Sequence, residues 1–216
     1  MSMSKKRRNS GIILVLTGQS GVGKNTLINF LVRKAGYLQY PAYTTRPRRI
    51  EAGEVDGVDY RFVTDREFDR LVANHEMHDV LTFNGFRYAS PISDFRQHLS
   101  DGTKLVLHLA AESALALKRK LGEGVCVVHI SAPSLEDRAE RLSRRGTGAA
   151  ELLQRMGEDQ TKAEFARLCD LLVVNKTDQA ESVADQVSAF VEAHYQNRLK
   201  SGRPRKKLAA TVEAWT

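Results

Sequence analysis

An α/β fold is predicted, with a central, mainly parallel sheet between two layers of helices and a small β-rich insertion. Three observations predict it. Short continuous apolar runs alternate with segments of helical period, as expected for strands covered on both faces. A glycine-rich turn joins the first such run to the first helical segment. Residues 44–90 break the alternation with turn signals and short alternating stretches, among them Ala52-Gly53-Glu54, Asp56-Gly57 and Asn84-Gly85.

Taken in order, residues 1–10 read as a basic tail. Lys5, Lys6, Arg7 and Arg8 before an apolar run mimic a signal peptide, but the run is too short and Gly18 interrupts it. Residues 11–196 read as the folded domain. Its buried strands are expected at Ile12–Thr17, Lys104–Leu109, Val125–Ile130 and Leu171–Asn175, with a weaker one near Leu38–Tyr43. Helices are expected at Lys24–Ala35, at Pro91–Leu99 with proline at the first helical position, and at Ala111–Leu121 ending near Gly122. Another is expected at Ser134–Arg144, with Ser134 as N-cap and Asp137 at the capping-box position. Glu151–Leu168 and Gln179–His194 complete the set. Residues 44–90 read as a small β-rich insertion and 197–216 as a basic C-terminal tail.

Composition excludes several classes. No apolar run approaches the roughly 20 residues of a membrane helix. The net charge of +7 sits in the tails, which hold +9 and leave −2 for the 216-residue chain's body. Nucleic-acid contact would therefore fall to the tails, which read first as solvated segments. Cys126 and Cys169 lie in apolar stretches without ligand spacing and read as reduced core thiols of a cytoplasmic protein. His108 and His129, both in apolar strand contexts, read as core histidines.

Gly18-Gln19-Ser20-Gly21-Val22-Gly23-Lys24-Asn25-Thr26 follows a strand and opens a helix, the context of a P-loop. The glycines let successive backbone N–H groups converge, and the helix N-terminus adds a positive field. Gly18, Ser20, Gly21, Val22, Gly23, Lys24, Asn25 and Thr26 are thus the expected ATP-binding set. Lys24 neutralises the β- and γ-phosphates as the phosphoryl group leaves. A Ser or Thr normally follows the lysine; here Asn25 does, and Asn25 and Thr26 are the candidate contacts for the Mg²⁺ that accompanies ATP. The predicted architecture is accordingly a three-layer fold of the P-loop NTPase type.

Thr44-Thr45-Arg46-Pro47-Arg48-Arg49, then Gly53-Glu54-Val55-Asp56-Gly57-Val58-Asp59-Tyr60-Arg61-Phe62, then Tyr88-Ala89-Ser90 form a second set. Arginine forks suit phosphate oxygens, so a second phosphate is expected here. These segments resemble the monophosphate-binding region of guanylate kinases, and the likeness runs from about Gly11 to Val191. It implies ATP-dependent phosphoryl transfer to a nucleoside monophosphate, GMP first. Arg46, a second arginine (Arg49 or Arg48), Tyr60, Tyr88 and Ser90 would hold the acceptor, and Asp79 would meet the base in place of a glutamate. The resemblance also implies that 44–90 is the acceptor-binding insertion and 144–156 a mobile lid, with lid arginines at Arg141, Arg145 and Arg155, which with Lys24 and Arg46 make up the catalytic set, and adenine contact at Asn175.

Three positions depart from that family's guanine-reading pattern. Ala42 replaces a serine, and in His108-Leu109-Ala110-Ala111-Glu112-Ser113 both aspartates of an Asp-x-Asp-x-Gln-Gly stretch are replaced. Ribose 1,5-bisphosphate phosphokinase, a relative that also lacks the aspartate pair, implies an alternative: a non-nucleotide phosphate acceptor. A second alternative is a catalytically weak binding module. The expected partners are ATP and a phosphate-bearing small molecule, for a monomer or homodimer that does not enter the membrane.

Overall fold

The computed structural model describes residues 11–51, 53–144, 165 and 168–196. Five parallel strands form the main sheet: β1 (Ile12–Thr17), β2 (Leu38–Gln39), β7 (Lys104–His108), β8 (Val125–Ser131) and β9 (Leu171–Val174), in the order β2-β7-β1-β8-β9. The centre of this sheet is β1, in register with β7 (Leu14 opposite Val106) and with β8 (Leu14 opposite Cys126).

Alternation along β1 sorts the core into two layers. Ile12, Leu14 and Leu16 face helices α1 (Lys24–Ala35) and α6 (Ala180–Phe190), meeting Leu27, Leu31, Val183 and Val187. Ile13 and Val15 face the other way, toward Ile92 and Phe95 of α3 (Ile92–Ser100) and Ala114 and Leu117 of α4 (Ala111–Leu121). All six β1 side chains are buried. The run therefore reads as uniformly apolar, because each face has its own helical layer.

Four strands make the second sheet: β3 (Tyr43–Thr44), β4 (Arg61–Phe62), β5 (Met77–Phe83) and β6 (Phe86–Pro91), in the order β4-β3-β6-β5. The strand expected near Leu38–Tyr43 is in fact two, one in each sheet. Tyr40 N–H still donates to Val106 in the first sheet, but Pro41 has no N–H to continue the ladder, and the chain turns out into the second.

The insertion also holds a helix that its β-rich reading missed, α2 (Asp65–Asn74). Its start is written as a capping box: Thr64 accepts from Glu67 N–H, and Glu67 accepts from Thr64 N–H at 2.8 Å. Such a cap contributes about 1 kcal/mol.

Pro91 is the N-cap of α3 and not its first residue, because it also ends β6. Ser134 caps α5 (Leu135–Ser143) by accepting from Asp137 N–H. After α6 the backbone continues as a π-helical turn, Val191–Gln196. Cys126 is buried and Cys169 is half-buried. No helix of the described residues is long and apolar enough to cross a membrane. The expected helix at Glu151–Leu168 falls almost wholly outside the described residues, as do both basic tails.

Candidate active site

The carboxyl end of β1 leads directly into the glycine-rich turn, and α1 starts at Lys24. Gly18, Gly21 and Gly23 adopt φ of 136°, 89° and 95°, the left-handed region that favours glycine. Neighbouring elements also leave no room for a side chain. A Cβ on Gly18 would lie 2.1 Å from the Ile130 carbonyl oxygen, one on Gly21 2.9 Å from Leu142, and one on Gly23 2.4 Å from the Asn175 amide. The turn is thus pressed from behind by β8, α5 and the end of β9.

Lys24 Nζ donates to the carbonyls of Gly18 (2.6 Å) and Gln19 (2.8 Å). The ammonium closes the loop on itself and stands at the anion-binding mouth. Asn25 and Thr26 are exposed on the first turn of α1, with oxygens available to a hard cation.

Asn175 differs from its expected role. Its side chain is 3% exposed and donates to the Val22 carbonyl at 2.8 Å, so it braces the loop from beneath instead of facing an adenine. Arg141 is likewise engaged locally, donating to the Asn175 carbonyl at 2.8 Å and to Thr177 Oγ1 at 3.3 Å. It sits within α5 and ties that helix to the β9–α6 connection. Arg144 forms an exposed i,i+4 pair with Glu140. Arg145 and Arg155 lie outside the described residues.

The second sheet gathers the acceptor set. Arg46 follows β3; its guanidinium is 8% exposed and donates to Glu54 Oε1 at 2.7 Å and to the Pro47 carbonyl at 2.8 Å. It lies over the rings of Tyr60 (5.4 Å) and Phe62 (5.6 Å). Tyr88 on β6 stands edge-on to Tyr60 at 5.9 Å. Burial, and then Tyr88, push the Tyr60 phenol up, which keeps it a protonated donor. Arg49 contributes its backbone N–H to Glu54 Oε2 at 2.8 Å, while its side chain is exposed. Ser90 is buried on β6, in register with His78.

Glu54 belongs to the motif but not to the expected site, and it is the residue that aims Arg46. The Arg46 hydrogen bond is the main reason its carboxyl sits below the ordinary range. The folded state therefore favours the ionised form. The stabilisation is complete above the ordinary glutamate value of about 4.5 and is lost as pH falls through the lower folded value. Melting temperatures from pH 7 to pH 3 should fall more steeply in the wild type than in Glu54→Gln below about pH 4.5. Parallel profiles would show that the pair carries no such linkage.

Asp79 occupies a register shift in β5 with φ of 57°. Its Oδ2 is enclosed and finds no hydrogen-bond partner among the described residues. A carboxylate held in a sparsely populated conformation with an unmet acceptor is the kind of strain that functional sites store. Beside it, His78 is buried and its imidazole is held below the ordinary value by that burial.

His108 corrects the expectation of a core histidine. It is exposed at the carboxyl end of β7, in register with Leu16 at the base of the loop. Enclosure by the surrounding protein, and then the Lys24 ammonium, lower its pKa, so the ring is neutral at pH 7. His129, by contrast, is buried in the core against Phe165, with ring centroids 5.4 Å apart. Ala110 caps α4 with no side-chain bond, and Ala42 is half-buried.

Among the described residues no cluster of three His, Cys, Asp or Glu could hold a metal ion. Mg²⁺ commonly keeps several waters and takes one or two protein oxygens plus substrate phosphates, and the exposed Asn25 and Thr26 fit that pattern.

The sequence model of the guanylate kinase family matches residues 10–194. The chain belongs to that family. The guanylate kinase of Oceanobacillus iheyensis is 32% identical over 203 residues, 93% of this chain and 96% of that protein. That of Lactococcus lactis is 34% identical over 191 residues, 87% and 91% of the two chains. Among solved structures, the guanylate kinase of Anaplasma phagocytophilum superposes with a TM-score of 0.62 at 25% identity, covering 86% of this chain and 87% of that one. The guanylate kinase likeness thus spans both sheets, the phosphate loop and the Arg46 cluster together.

Two residues that contact the loop and the Arg46 cluster escape sequence reasoning. Glu54 is one of three carboxylates in the Gly53–Phe62 segment, with Asp56 and Asp59, and nothing in the sequence singles it out as the partner of Arg46. Arg138 is buried on α5 one helical turn before Leu142. The signal was an arginine at an inward-facing helical position.

Proposed function

We propose that the protein transfers the γ-phosphoryl group of ATP to GMP, yielding ADP and GDP. One observation carries the acceptor half: Arg46 is fixed by Glu54 and flanked by Tyr60 and Tyr88, a ready-made clamp for a phosphate dianion. The phosphate loop supplies the donor half. The unmet Asp79 oxygen supports an acceptor with N–H donors, such as guanine.

Transfer is direct and in line. Lys24 exchanges the Gly18 and Gln19 carbonyls for phosphate oxygens and offsets the charge that develops there. Arg46 holds the acceptor phosphate in place, and the Tyr60 and Tyr88 hydroxyls donate to it. The attacking oxygen belongs to an ionised phosphate, so no side chain need act as a general base. Asn25 and Thr26 would hold Mg²⁺, which when bound screens the charge between the phosphates. Arg145 and Arg155 would close over the transferring group. Cys126 and Cys169, in apolar stretches without ligand spacing, support a cytoplasmic setting.

A non-nucleotide acceptor and a non-catalytic binding module are not favoured. Lys24 is in place, and relatives matched over most of the chain are guanylate kinases. The test is ADP release with GMP, dGMP, AMP, UMP and ribose 1,5-bisphosphate. GMP should exceed AMP by about tenfold or more in kcat/KM, the worth of one or more buried hydrogen bonds. Turnover of ribose 1,5-bisphosphate with none of GMP would overturn the reading.

A further inference from the structure

Arg138 is among the largest fully buried side chains of the protein, at 1% exposure, yet it carries a charge. Burying a guanidinium costs several kcal/mol unless its donors are met, and a methionine or leucine would fill the same space without that cost. Packing alone therefore does not account for an arginine here. Its Nη1 donates to the side-chain oxygen of Gln19, inside the phosphate loop. Its aliphatic stem lies against Gly21, where a Cβ would come within 3.2 Å of Arg138 Cγ.

The rest of the loop is held from the same side. Asn175 bonds the Val22 carbonyl and abuts Gly23, and the Ile130 carbonyl fills the space behind Gly18. Contacts at residues 18, 19, 21, 22 and 23 thus come from behind. Arg141, one turn after Arg138 on α5, fixes the Asn175 backbone and so ties the two braces together.

We propose that Arg138 is a positioning residue for ATP, clipping the phosphate loop to α5 through Gln19 and so shaping the loop before the nucleotide arrives. A loop ordered in advance does not spend binding free energy on being ordered, so the effect appears in nucleotide affinity. The acceptor clamp lies on the other sheet and is untouched. This inference rests on the ATP-binding reading above, but not on the identity of the acceptor.

The test measures ATP binding by calorimetry with Mg²⁺ and no acceptor, and KM for ATP and for GMP separately. Arg138→Met should weaken ATP binding about tenfold, the worth of one charge-assisted hydrogen bond, and leave KM for GMP within about twofold. Arg138→Lys, which keeps a charge and a donor, should recover part of the loss. Arg138→Met combined with Gln19→Leu should be no worse than Arg138→Met alone, because both remove one interaction.

ATP binding by Arg138→Met within about twofold of the wild type would overturn the proposal, as would multiplying losses in the double variant or a parallel rise in KM for GMP. If Arg138→Met does not fold, Gln19→Leu removes the same bond from the loop side, and unchanged ATP affinity there is equally fatal. A wild type that binds ATP but leaves GMP unphosphorylated would sink the acceptor assignment and leave this inference standing. A wild type that does not bind ATP would sink both.

Discussion

Lys24→Ala lowers kcat by about 10³-fold or more, the scale of removing a preorganised charge from a transferring phosphoryl group. The fold should survive. The Lys24 ammonium donates to the backbone carbonyls of Gly18 and Gln19, and water can replace a half-buried donor there. Glycine conformations and the contacts with Ile130, Arg138 and Asn175 keep the loop's shape without it. The melting temperature should therefore move little, and KM for GMP should stay within about twofold, since the acceptor clamp is on the other sheet. Single-turnover phosphoryl transfer with a thermal melt alongside separates the two effects. A variant that keeps kcat within about tenfold would remove Lys24 from the chemistry.

Arg46→Ala is expected to damage both acceptor binding and stability. The Arg46–Glu54 pair is largely buried, at 8% and 15% exposure, so removing the cation strands a carboxylate in a poorly hydrated place. Breaking such a pair costs about 3 kcal/mol, and a domain of this size should lose roughly 6–12 °C in Tm. The aromatic contacts with Tyr60 and Phe62 go as well. KM for GMP should rise about 100-fold, because a fork aimed at a dianion is lost, whereas KM for ATP should hold. Arg46→Lys restores the charge to Glu54 but not the planar fork, so it should rescue the melt better than KM. Equal rescue of both would mean that charge alone matters there.

The helices and strands of the main sheet are legible in the sequence because their signals are local. Lys24–Ala35 and Ala111–Leu121 match their expected bounds to the residue, each closed by a glycine, Gly36 and Gly122. The insertion is harder. Its helix at Asp65–Asn74 hides in a capping box, and a single proline divides an expected strand between two sheets. The loop and Arg46 are legible as motifs, but their supports are not. Glu54, Arg138 and Asn175 act across sequence separations of 8, 119 and 153 residues, which no local pattern encodes.

Composition, periodicity and spacing determined the α/β class, the phosphate loop after the first strand and the second arginine-bearing segment. Each follows from short-range chemistry: side-chain period, glycine's access to positive φ, and the fork of a guanidinium. Only the tertiary structure decided that His108 is exposed while His129 is buried, and that Asn175 and Arg141 brace the loop. Nor could the chain's linear order reveal that Glu54 aims Arg46. Those outcomes turn on which surfaces meet when the sheet is covered. An apolar strand context promises burial only as far as the strand itself runs under a helix, and His108 stands at the last residue of its strand, where that cover ends.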